Sequence, residues 1–214
     1  MEDIPMMLGR MTHTVSMLTI LTFVGIEQVL AQESSDKLDA GMVNPGYVEK
    51  PKWFKDSFLD IREDVNEASK AGKRLMLYFY QDGCPYCEKL IKENMSQQNI
   101  VDAMKKNFDV IAINMWGDRE VLGLDGKETT EKQFAAANKV MFTPTLLFLD
   151  EQGNHALRLN GYLPPHKFLG ALNYVQEKQE KVSSFRDYLE KSGVVAGKGK
   201  LHDDPAFLKP PYDF

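Results

Sequence analysis

The chain reads as an α/β protein with a central mixed sheet, and three observations predict it. Apolar runs of strand length stand at Leu75–Tyr80, Val110–Met115 and Val140–Leu149. Segments with helical spacing separate them. A turn signal at Asp150–Asn154 then folds one strand back antiparallel on the next. The resulting order is strand, helix, strand, helix, strand, strand, helix.

Taken from the N-terminus, residues 1–31 match a secretory signal peptide. Arg10 precedes the apolar run Val15–Ile26, and Val29-Leu30-Ala31 places a small residue for cleavage after Ala31. The run is short for a membrane span, so membrane attachment is expected only if this leader stays uncleaved. Glu2 and Asp3 fit a leader poorly, and translation from Met6, Met7 or Met11 would remove them. The expected location is periplasmic.

Residues 32–54, broken by Gly41, Pro45, Gly46 and Pro51, read as a linker or extended lead-in. A helix is expected from Asp56 to Gly72, with Phe58, Leu59, Ile61, Val65 and Ala68 on one face. Leu75–Tyr80 is continuously apolar, as suits a strand covered on both faces. Gln81-Asp82-Gly83 turns the chain into a helix through about Asn94, with Pro85 in its first turn, where a missing N–H costs nothing. A helix over Gln98–Asn107 leads to the next strand. Residues 116–127 read as a Gly-punctuated acidic loop, with Trp116 packing at its edge, and Thr130–Asn138 as helical. Pro144 stands at the entrance of the strand ending at Leu149, and His155–Leu159 pairs back on it. Pro164-Pro165 opens the last helix of the domain, which spans residues 55–180. Residues 181–214 are a charged helical stretch with a solvated face and a Gly-, Lys- and Pro-rich tail.

The two cysteines of the chain, Cys84 and Cys87, lie at the junction of strand and helix. Unpaired N–H groups at a helix start favour a thiolate, and a second thiol almost a turn later on the same face can close a disulfide with it. The pattern therefore points to a two-electron thiol–disulfide device. Other uses fit less well. Structural zinc needs about four ligands, whereas His13, His155, His166 and His202 have no ligand spacing. Covalent haem attachment needs His where Glu88 stands. A purely structural disulfide would close too short a loop to constrain the unfolded chain much.

Cys84-Pro85-Tyr86-Cys87, Thr143-Pro144 before a buried strand, the Asp150–Asn154 hairpin and the last helix together resemble a thioredoxin-fold protein over residues 55–180. Asn114-Met115-Trp116-Gly117-Asp118 and Phe142-Thr143-Pro144-Thr145 narrow the resemblance to exported thioredoxins of the SoxW type. It implies a three-layer α/β/α fold and no cofactor beyond the Cys84–Cys87 dithiol. Cys84 would be the exposed nucleophile and Cys87 the buried resolving thiol. Pro85 and Tyr86 would shape the site, and a cis Pro144 would let Thr143 pair its backbone with substrate. Two positions depart from the pattern. Tyr78 stands where thioredoxins carry an aspartate that assists proton transfer, with Glu88 as a substitute or simply an exposed helix charge. Gly83 replaces the tryptophan before the first cysteine. Tyr80, Tyr86 and Phe142 are candidates for an apolar docking surface, with the core as the alternative for Tyr80.

An apolar content of 43% allows a real core, and a net charge of −5 argues against nucleic acid as a partner. The expected partners are disulfide-bearing exported proteins and a membrane thiol electron donor. A reductant is the favoured direction. Alternatives are an oxidant or isomerase, a non-catalytic module binding through residues 116–127 and the tail, and a sensor signalling by Cys84 oxidation.

Overall fold

A computed structural model describes residues 49–193. The expected signal peptide (residues 1–31), most of the expected lead-in and the tail beyond residue 193 lie outside the described residues. Strand β1 (Arg74–Tyr80) is central. It pairs parallel with β2 (Phe108–Asn114) and antiparallel with β5 (Thr145–Leu149), and β6 (His155–Asn160) pairs antiparallel with β5. The sheet order is β2-β1-β5-β6. Side chains alternate across a strand, so Leu75, Leu77 and Phe79 enter one core while Met76 and Tyr78 enter the other. This double burial accounts for the unbroken apolar run in the sequence.

Helix α1 (Ile61–Lys70) covers the first face with Ile61, Val65 and Ala68, joined by Phe134 and Ala135 of α4 (Glu131–Ala137). On the second face lie α2 (Pro85–Lys89), which runs on as a π-helical stretch over Leu90–Asn94, then α3 (Gln98–Asn107) and α5 (Pro165–Gln176). The result is three layers.

The helix expected from Asp56 starts later. Asp60 caps α1 by accepting the Arg62 and Glu63 N–H groups, each at 3.1 Å. Ser57 Oγ donates to Asp64 at 2.6 Å and accepts the Leu59 N–H at 2.7 Å, holding residues 57–59 outside the helix. Leu59 takes a positive φ of 64° and is buried, whereas Phe58 is fully exposed and forms no part of the core stripe.

Residues 116–127 are not simply a loop. They contain β3 (Glu120–Leu122), which forms a hairpin with β4 (Glu128–Thr130), and Leu122 N–H donates to the Leu59 carbonyl at 2.9 Å. The segment Val140–Pro144 precedes β5 rather than joining it.

The charged stretch after α5 is more than a solvated helix face. It breaks into a 3₁₀ turn (Gln179–Lys181) and α6 (Phe185–Lys191). Glu180 reaches back to the buried Arg74 at 2.9 Å, Leu189 is buried, and Phe185 and Tyr188 pack edge-on against Tyr174. The packed unit thus runs past residue 180. It also takes in part of the lead-in, because Phe54 packs edge-on against Tyr78.

Candidate functional site

The positive φ of Gly83 (73°) turns the chain at the end of β1 and delivers Cys84 as the N-cap of α2. Pro85 occupies the first turn of that helix. Cys84 and Cys87 form a disulfide, with their Cα atoms 5.2 Å apart. The Cys87 N–H donates to Cys84 Sγ at 3.1 Å. In the reduced protein this donor favours the Cys84 thiolate, because a hydrogen bond to the charged form lowers a pKa.

From the other side comes the segment before β5. The Thr143 carbonyl oxygen lies 3.4 Å from Cys84 Sγ, and the Thr143–Pro144 peptide bond is cis. Thr145 Oγ1 donates to the Phe142 carbonyl at 2.8 Å and ties this segment down. Cys84, Cys87, Thr143 and Pro144 are therefore brought together from two sequence-distant segments.

The exposure contrast expected between the cysteines is absent in the disulfide form: Cys84 is 5% and Cys87 4% exposed. The Cys84 side chain folds over the start of α2 toward the Cys87 N–H and Thr143, which removes it from solvent. Tyr86, Met141 and Phe142 are exposed apolar side chains. Trp116 is not a packing residue. It is 60% exposed, and its indole N–H donates to Gln81 Oε1 at 2.8 Å, next to the turn that carries the dithiol.

Glu88 stands apart from this arrangement. Its carboxylate pairs with Lys92 one turn along the outer face of the helix. Behind the sulfurs lie Tyr78 and Tyr80, stacked with ring centroids 5.8 Å apart. Burial, with a lesser contribution from Tyr80, pushes the Tyr78 phenol's pKa well up, so Tyr78 stays protonated at neutral pH. Lys50 Nζ donates to the Tyr80 hydroxyl at 3.1 Å and sits 4.7 Å from its ring centroid. Sequence reasoning missed Lys50 at the site, since it falls in a Pro- and Gly-broken segment with no periodic pattern.

The thioredoxin-like domain model matches residues 61–176, more than half of the 214-residue chain. The chain belongs to the thioredoxin-like domain family. Its fold is thioredoxin-like, and together with the Cys84–Cys87 disulfide this supports thiol–disulfide exchange. Among solved structures, a thioredoxin-fold protein from Helicobacter pylori is 26% identical, with 61% of this chain and 88% of that chain covered and a TM-score of 0.48. A thioredoxin from Thermus thermophilus is 24% identical (55% and 84% covered, TM-score 0.43). The periplasmic thioredoxin SoxS from Paracoccus pantotrophus is 23% identical (50% and 99% covered, TM-score 0.34). No curated protein matches. Among the described residues no helix is long and apolar enough to cross a membrane, and no group of three or more His, Cys, Asp or Glu side chains is placed to hold a metal.

Proposed function

We propose that this protein is an exported protein-disulfide reductase, with Cys84 as the attacking thiol and Cys87 as the resolving one. The observation that carries the reading is the position of Cys84 Sγ, between a helix-start N–H at 3.1 Å and the Thr143 carbonyl at 3.4 Å. The Cys84 thiolate attacks a substrate disulfide. One Sγ–S bond forms, the substrate S–S bond breaks, and the first substrate thiolate departs with the electron pair. The Cys87 thiolate then attacks Cys84 Sγ and closes the internal disulfide, releasing the second substrate thiolate. Two electrons pass to the substrate, so a membrane dithiol donor must restore the reduced pair. The backbone at Thr143-Pro144 lies beside the reacting sulfur and offers the substrate chain short strand-like pairing. Pro85 and Tyr86 shape the near rim. Disulfide-bearing exported proteins, including the sulfur-carrier or cytochrome-maturation components a SoxW-like role implies, are the substrate class.

Two measurements test this. The unmodified chain should reduce insulin disulfides in the presence of a thiol reductant, and Cys84→Ser should abolish that activity. Absence of turnover in the unmodified chain would favour a binding module instead. Equilibration with glutathione buffers then sets the direction. A potential near or below about −230 mV supports a reductant, and one near about −120 mV makes the protein an oxidant.

A further inference from the structure

The second half of the exchange needs Cys87 as a thiolate, and burial in apolar surroundings opposes that. A buried acid would ordinarily relieve the problem, yet β1 places Tyr78 there, and its phenol stays protonated. Between the sulfurs and β1 is a cavity of about 10 Å³, with room for roughly one water. Lys50, Tyr78, Tyr80, Asp82, Cys84 and Cys87 line it together with Ile91. Lys50 is held there twice, by its 3.1 Å bond to the Tyr80 hydroxyl and by its seat 4.7 Å from the ring centroid.

We propose that Lys50 is a positioning residue for substrate release: anchored by Tyr80, its ammonium faces the cavity behind the dithiol and stabilises the Cys87 thiolate. The titratable and charged groups around Cys87 leave this role to Lys50. Tyr78 and Tyr80 are phenols on β1, and Asp82 is an exposed carboxylate at the turn. Glu88, next on the Cys87 helix, is engaged by Lys92. Arg119, within electrostatic reach of Tyr80, is paired with Glu131 at 2.6 Å. An opposite charge facing a thiol favours its ionised form. The Cys87 proton leaves to solvent through the cavity. The thiolate attacks Cys84 Sγ of the mixed disulfide, forming the Cys84–Cys87 bond as the Cys84–substrate bond breaks. The substrate thiolate leaves with the electron pair and takes its proton from water.

The inference rests on the exchange reading above, but its test needs no turnover. In a full-length Cys84→Ala background, Cys87 is titrated by the ultraviolet absorbance of its thiolate. Lys50→Met is expected to raise the midpoint by about one unit, a tenfold smaller thiolate fraction at neutral pH. Lys50→Arg, which keeps the charge, is expected to restore it. An unchanged midpoint in Lys50→Met, or no restoration by Lys50→Arg, overturns the proposal. Should Lys50→Met fail to fold, Lys50→Gln, which keeps a polar side chain and removes the charge, decides by the same titration: a raised midpoint supports the role of Lys50 and an unchanged one overturns it. A chain that exchanges no disulfide would refute the reductase reading while this titration still decided the role of Lys50.

Discussion

At the level of single residues, what separates the two cysteines is their partners rather than their exposure. Cys84 has a backbone donor and a backbone carbonyl beside its sulfur, whereas Cys87 faces two stacked tyrosines. A second close fit lies at the mouth of the β3–β4 insertion. Glu131 is 2% exposed, accepts the Asn114 N–H at 2.9 Å and pairs with Arg119. A Cβ on Gly117 would fall 2.0 Å from Glu131 Oε2 and 2.8 Å from its carboxyl carbon, and the carboxylate is held in place through Oε1, which accepts from the Asn114 N–H and from Arg119. Gly117→Ala is therefore expected to destabilise by about 2 kcal/mol, within the range for overpacking a filled interior. Urea denaturation checks it, and a midpoint equal to that of the unmodified protein would contradict the account. The disulfide pair was legible in the sequence because a CxxC between an apolar run and a helical pattern needs no tertiary information. Lys50 was not, because its role arises from a contact with Tyr80, thirty residues away. Phe58 misled for a related reason. Its spacing fits the α1 stripe, but the Ser57–Asp64 bond sets the helix start beyond it.

Among the elements, those marked by an apolar run, periodicity or turn residues were legible and the three-residue strands were not. β1, α3, β6 and α5 follow from apolar runs, periodicity and turn residues. Hairpin β3–β4 has strands of three residues, too short for alternation to show, and its buried anchor is Val121. The reverse error came at Val140–Pro144, where an apolar run suggested strand but Met141 and Phe142 face solvent. The hairpin's exit is fixed by local chemistry. Thr130 accepts the Gln133 N–H at 3.3 Å, and Gln133 Oε1 accepts the Thr130 N–H at 3.1 Å, a reciprocal cap that starts α4 directly after β4. Thr130→Ala should cost about 1 kcal/mol, and Thr130→Ser, which keeps the acceptor, much less. Equal losses in chemical denaturation would show that the threonine methyl, rather than the cap, is what matters.

Across the whole molecule, one buried cation gathers distant parts of the chain. Arg74, 4% exposed at the start of β1, donates to the Val175 carbonyl at 2.6 Å, to Glu151 at 3.2 Å and to Glu180 at 2.9 Å. It thereby ties the central strand to the β5–β6 turn, the end of α5 and the segment leading to α6. The sequence hid this because the charges after residue 176 look like any solvated helix face, and nothing local marks Glu180 as the partner of a strand residue. The tie has a pH signature. The Arg74 guanidinium, followed by Lys178, outweighs burial and holds the Glu151 carboxyl down to about 2, from an ordinary value of 4.5. A carboxyl with a depressed folded-state pKa adds stability that is fully present above its unfolded value and lost as pH falls toward its folded one. Stability measured in urea should therefore decline between about pH 5 and pH 2. Asp150, whose pKa is also lowered, contributes to the same limb, so Glu151→Gln should make that decline shallower without removing it. At neutral pH the same variant should be less stable than the unmodified protein, so the two curves converge toward acid. Parallel curves would mean that Arg74 gains its hold on this turn through packing rather than charge.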